Sequence, residues 1–313
     1  MFAARCLGIS LASFVLVYVP LSLLVSRGWK FLWHALNPRS ARVSADLLFA
    51  FRILPFVMAL AFTLVFTVPS FLLLEPRGTD EAVGTLPVIL GVCCMVLLAA
   101  GIVKALSAQK RTSRALIKWL EGSTVMEPCA MVPVFRTSKN APTLTVAGVR
   151  EPKVLVSEAA LAALTESEMR TALKHELAHV RYYDNLKKLF FPFAAFPGMR
   201  ALEGSWSEQA EFAADDAAVS STEDALNLAA ALIKVSRICP TQPAPPLTTG
   251  LLHSSTALSQ RVQRLFSWRQ VTAPKKWRLV YVLPPAVAAC AAIAATYSAA
   301  ITQLHAATEW LVR

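Results

Sequence analysis

Four stretches of this chain carry no formal charge for at least the length of a membrane-crossing helix. Cys6–Ser26 has 21 such residues, Ile53–Leu74 and Ala82–Val103 have 22 each, and Leu279–Thr308 has 30. An α-helix needs roughly 20 apolar residues to cross the hydrocarbon layer. Core helices of soluble proteins keep a polar face, and these runs have none. The expected fold class is an α-helical integral membrane protein with four transmembrane helices, at about 6–26, 53–74, 82–103 and 279–303. Arg5 precedes the first run, as in a signal peptide. No small-x-small cleavage site follows before Arg27 and the apolar stretch is long, so we read it as a retained helix.

The 175 residues from Lys104 to Arg278 hold most of the charge and suit one globular domain, leaving 1–103 and 279–313 as membrane regions. Within that domain, "LFFPFAAFPG" begins an uncharged run of 11 residues between Lys188 and Arg200. The run is too short to span, which points to a buried or interfacial segment. The six cysteines form no CxxC pair, so neither a disulfide framework nor a cysteine metal site is indicated.

Loop charges set an orientation. The first loop holds Arg27, Lys30, Arg39, Arg42 and Arg52 against Asp46; the second holds Glu75, Asp80 and Glu81 against Arg77. The long loop is basic at both ends. Cytoplasmic loops carry the excess of Lys and Arg. This alternation predicts both termini outside the cell membrane and the 104–278 domain in the cytoplasm. The net charge of +11 then reflects orientation and attraction to the lipid bilayer. No nucleic-acid partner is expected, since no motif with aromatics among basic residues is present.

"MVPVFRTS" and "TLTVAGVREPKVLVS", rich in Val and Thr, predict two or three strands. Pro152 places the segment containing Val154, Leu155 and Val156 at a sheet edge, where it is expected to bind substrate by strand addition. Three helices follow, each with a capping-box signal: Thr165 with Glu168, Ser205 with Glu208, and Ser221 with Asp224. The first is expected to run unbroken through "MRTALKHELAHVRYYDNLKKL".

That helix carries "HELAH". His175 and His179 are four apart, on one face, so two imidazoles can reach one ion. Zinc binds such nitrogens in tetrahedral sites, one ion per chain here. Glu176, beside the first histidine, can reach a water in the open position and act as general base. A third ligand should come from another helix, and "EFAAD" offers Glu211 with Asp215 one turn on as a partner for a ligand histidine's outer N–H. Alternatives stay open. Glu208 is on the ligand face but suits a cap. Asp184 orients a ligand or a loop, or caps. Asp216 reads as a solvated acid. His253 and Arg261 are candidate donors to an oxyanion.

"VLVSEAALAALTESEMRTALKHELAHVRYYDNLKKLFF" followed by "EQAEFAADDAAV" resembles the BlaR/MecR-type antirepressor membrane metallopeptidases over residues 6 to about 303. The resemblance implies three transmembrane helices before the zinc motif and one after. It also implies a cytoplasmic α+β metalloprotease domain of the gluzincin kind between helices 3 and 4. By position it gives zinc to His175, His179 and Glu211 and the base role to Glu176. The sensor members continue into an extracellular penicillin-binding domain, whereas about ten residues follow the last helix here, so the resemblance implies the peptidase role without the sensing role. The implied activity is regulatory proteolysis of a transcriptional regulator, a membrane-adjacent protein, or a second copy of the chain in trans. HtpX-type quality-control metallopeptidases share the zinc motifs but fit the helix count less well. An inactive signalling scaffold is the reading from another class, and the intact Glu176 argues against it.

Overall fold

In the computed structural model, the described residues are 2–36, 38, 40–76, 84–129, 132–137, 142–193, 195–238, 246–250, 255–269 and 295–308. The chain is mostly helical and divides into two compact units. One comprises 1–32, 51–100 and 273–313; the other comprises 33–50 and 101–272.

The first unit draws on three helices long and apolar enough to cross a membrane: α1 (Phe2–Leu36), the segment Ala41–Leu74, and α4 (Thr85–Leu120). The second of these is not uniform. α2 (Ala41–Phe62) passes through a π-helical turn, Thr63–Thr67, into α3 (Val68–Leu74). Pro69 explains the irregularity, because a proline inside a helix has no N–H for the carbonyl four residues back. That carbonyl is Val65 O, and the Tyr297 hydroxyl donates to it at 2.8 Å. In the same unit Arg5 pairs with Glu75 at 2.8 Å, both buried. Residues 279–294 of the fourth expected span, 279–303, lie outside the described residues, while 295–308 is helical.

The second unit is built on a five-stranded sheet in the order β1-β2-β4-β3-β5. Its strands are β1 (Thr124–Cys129), β2 (Val132–Thr137), β3 (Leu144–Ala147), β4 (Lys153–Ser157) and β5 (Thr248–Gly250). The β2/β4 pair is parallel and the others are antiparallel. This corrects the expectation for Val154, Leu155 and Val156. β4 is not an edge; it pairs with β2 on one side and β3 on the other, and all three residues are buried. An apolar run buried on both faces is the pattern of an interior strand. Pro152 precedes the first paired residue and so removes no ladder donor.

On one face of the sheet, Val134, Val146, Val154 and Val156 pack against α5 (Glu158–Ala163), α6 (Glu166–Arg181), α9 (Thr222–Ile238) and α10 (Ser255–Phe266). The Thr165–Glu168 capping box forms at the start of α6, and Lys234 of α9 clamps Glu168 at 2.7 and 2.8 Å. α6 does not run on as expected. Tyr183 adopts φ 56°, which ends the helix, and a new one, α7 (Asp184–Phe193), starts at the next residue. The capping box at Ser205 does not form either, because α8 starts earlier and spans Arg200–Ala218. Good helix formers from Ala201 to Glu203 extend it, and buried Leu202 and Trp206, four apart, anchor its first turns. At α9 the Ser221 hydroxyl accepts from Asp224 N, while the Asp224 carboxylate turns to Ser220.

Candidate metal centre

α6 and α8 pack together and bring His175, His179 and Glu211 to one point. One ligating atom from each lies within 4.8 Å of the others. The two imidazole Nε2 atoms are 3.1 Å apart. Glu211 offers Oε2 at 3.5 Å from His175 Nε2 and Oε1 at 3.7 Å from His179 Nε2. Two atoms each about 2.0–2.1 Å from a tetrahedral ion lie roughly 3.3 Å apart, so the spacing fits a first-row divalent metal.

The outer nitrogens explain why both Nε2 atoms face inward. His175 Nδ1 is 2.9 Å from Asp215 Oδ1, and His179 Nδ1 is 2.7 Å from Asp184 Oδ2. The Asp184 carboxylate accepts from His179 Nδ1 and the Asp215 carboxylate faces His175 Nδ1 at ion-pair distance, which favours protons on the outer nitrogens and leaves the Nε2 lone pairs for a cation. Two lone pairs 3.1 Å apart repel unless something positive lies between them. Burial works against charge on His175, but its bonds to Asp215 and Glu211 outweigh it and raise its pKa to about 9. Surroundings that hold a proton there hold a metal ion by the same electrostatics.

The break at Tyr183 gives Asp184 its place. An unbroken helix would carry residue 184 past His179, since five residues advance about 140° beyond a full turn. The left-handed residue turns the chain so that Asp184, the first residue of α7, faces back onto the ring. Of the three roles open to Asp184 in the sequence, orienting a ligand is the one its contact supports.

Arg261 of α10 completes the cluster. Its Nη2 and Nε reach the two Asp215 oxygens at 2.6 and 2.8 Å, and its Nη1 reaches Glu211 Oε2 at 3.0 Å. Burial alone would raise the Asp215 pKa; the Arg261 and His175 charges overcome it and hold it at about 2. These contacts direct Arg261 to the carboxylates, and a positioning role accounts for them better than an oxyanion role. His253, the other expected donor, lies outside the described residues.

Glu176 is fully buried, and neither carboxylate oxygen has a hydrogen-bond partner among the described residues. A buried carboxyl without donors is costly unless a water or ion in the cleft satisfies it. Burial is the main cause lifting its pKa to about 8; His175 and Arg261 oppose the shift and Glu211 adds to it. Glu208 is half-buried and stands outside the convergent set. Asp216 is exposed and pairs with Arg264 at 2.7 Å.

One residue beside this centre escaped the sequence reading. Lys188 of α7 donates to Thr248 O at 2.8 Å, and burial lowers its pKa against the pull of Glu211, Asp184 and Glu176. Its position four residues after Asp184 was the available signal, since both then share one face of α7.

The chain matches no protein-family model and no curated protein.

Proposed function

We propose that this chain is an integral-membrane zinc endopeptidase, with one zinc per chain held by His175, His179 and Glu211. On this reading it cuts a cytoplasmic or membrane-adjacent protein at the cytoplasmic face, as regulatory proteolysis. The observation that carries the reading is the pairing of a three-ligand convergence with a buried carboxyl, Glu176, that lacks donors and adjoins the first ligand. A bound zinc would supply Lewis acidity toward a peptide carbonyl and lower the pKa of water. Glu176 takes the proton of the attacking water and returns it to the departing amine nitrogen. Asp215 and Asp184 keep the protons of His175 and His179 on Nδ1. Arg261 holds Asp215 ionised and Glu211 in place. Sidedness rests on the alternation of basic and acidic loops.

The test is Glu176→Gln in purified, detergent-solubilised full-length protein. Cleavage of an unfolded protein substrate should fall by at least about 10²-fold, as for loss of a general base. Zinc should remain at about one per chain, because Glu176 is not a ligand in this assignment. Retained cleavage, or loss of the metal, overturns it.

A further inference from the structure

α7 is amphipathic in the wrong sense for a helix that faces water. Its charged and amide side chains point into the protein. Asp184 binds His179, Asn185 donates to Gly148 O at 3.1 Å, and Lys188 donates to Thr248 O. The Lys187 side chain, only 12% exposed, lies 3.2 Å from Asp46. The opposite face is apolar and open. Leu186 and Phe190, four apart, are 38% and 46% exposed, and Tyr183 just before the helix is 68% exposed. α6 does the reverse in the same unit, exposing Glu166, Arg170, Lys174 and Arg181. A helix with charges inward and apolar residues outward is matched to a non-aqueous surrounding.

A second observation gives that surrounding its identity. The start of α2 lies along α7 and its junction with α6. The Arg42 guanidinium sits 3.9 Å from the Tyr182 ring centroid, Asp46 meets Lys187, and the Phe49 and Phe191 rings are 6.1 Å apart. Phe49 precedes Ile53, where the charge-free run of α2 begins, by four residues, or about 6 Å of helix. α7 therefore packs against the stretch of chain that leads, four residues on, into the charge-free run of the second candidate span. Aromatic and aliphatic side chains beside the entry to a span are the usual anchors of the bilayer interface.

We propose that α7 lies in the plane of the bilayer interface, with Tyr183, Leu186 and Phe190 among the lipids. The Asp184–His179 contact then ties the metal centre to the membrane surface. Resting on the peptidase reading, this makes the substrate class the juxtamembrane segments of membrane-bound proteins: an extended chain leaving the bilayer reaches the site, and one free in solution must first approach the surface.

The test uses the full chain in phosphatidylcholine–phosphatidylglycerol nanodiscs, with its six cysteines replaced by alanine. A nitroxide is placed at Leu186→Cys, Phe190→Cys or, as the water-facing control, Lys174→Cys. Relaxation by oxygen should dominate over relaxation by an aqueous nickel chelate at 186 and 190, at a depth of about 5–10 Å, and the order should reverse at 174. Nickel access at 186 and 190 equal to that at 174 overturns the proposal. Exclusion of both relaxers also overturns it, because the face is then covered by protein. If the cysteine-free chain fails to fold, the wild-type chain is labelled with a diazirine lipid. The tryptic peptide Leu189–Arg200 should carry the adduct, and its absence refutes the contact. Both readouts stand without proteolysis, so an inactive protein with labelled α7 would sink the peptidase reading alone. An active protein with a water-exposed α7 would sink this one alone. Where both hold, a peptide tethered to lipid should be cleaved at least about tenfold faster than the same peptide free, and equal rates remove the substrate class.

Discussion

The two histidines are held by carboxylates of different character, and comparing Asp184→Ala with Asp215→Ala separates metal affinity from fold stability. Asp184 meets His179 Nδ1 at 2.7 Å and Lys187 at 3.6 Å, and Lys187 keeps Asp46 as a partner after the substitution. Loss of Asp184 therefore frees the His179 ring without leaving a cation isolated. Removing the partner of a ligand histidine costs about 10–100-fold in metal affinity, or roughly 1.4–2.7 kcal/mol. Asp215 differs because it also accepts two hydrogen bonds from Arg261, which is buried. Asp215→Ala leaves that guanidinium in the interior with Glu211 still at 3.0 Å. Breaking a buried ion pair from one side costs about 3–5 kcal/mol, and the remaining Glu211 contact puts the expected loss at the low end. At roughly 2–4 °C per kcal/mol for a unit of this size, the apparent Tm of chelator-treated Asp215→Ala should fall by about 6 °C or more. Asp184→Ala should fall by clearly less. Zinc affinity measured by competition with a fluorescent chelator should fall about 10–100-fold in both. Unchanged zinc affinity in Asp184→Ala, or a chelator-treated Asp215→Ala as stable as the parent, refutes the division of labour.

Glu211→Ala should remove stoichiometric zinc, whereas Glu208→Ala, outside the convergent set and not part of a cap, should leave zinc affinity unchanged and stability within about 0.5 kcal/mol in the same titration and melt. Leu155→Pro should prevent folding of the 101–272 unit, seen as protease-sensitive, aggregated protein, because it removes a donor from an interior strand; a folded variant impaired only in substrate cleavage would restore the edge-strand reading. Lys174→Cys, on the exposed face of α6, should resist membrane-impermeant maleimide in intact cells and react after lysis; labelling from outside would invert the proposed topology.

What the sequence revealed about the centre follows from the range over which each contact is encoded. His175, Glu176 and His179 share one helix, so a four-residue spacing fixes their common face. Glu211 and Asp215 repeat that logic on α8, and the structure brings the two faces together without further signal in the chain. Asp184 was ambiguous because its role depends on a bend at "RYYD", which contains neither glycine nor proline. Nothing local marks Tyr183 as the residue that adopts φ 56°. The order of the strands is likewise a tertiary property. Pro152 argued for an edge, and the pairing of β4 with both β2 and β3 shows that a proline just ahead of the first paired residue carries no such signal.

α7 extends this reasoning. Read along the chain, "DNLKKLFFPF" gives a helix with a charged side and an apolar side, and in water the charged side would face out. The contacts of the histidine cluster reverse that preference, because Asp184 meets His179, and Lys187 and Lys188 find acceptors at Asp46 and Thr248. Turning the helix over to suit water would break the Asp184 contact and expose His179's outer nitrogen. The chain resolves the conflict without giving up either requirement if lipid meets the apolar side. The residues that orient His179 and those that suit a bilayer are then opposite faces of ten residues. A substitution such as Leu186→Glu, made far from the ligands, should consequently disturb the seating of His179 only to the extent that it rolls α7 out of the interface.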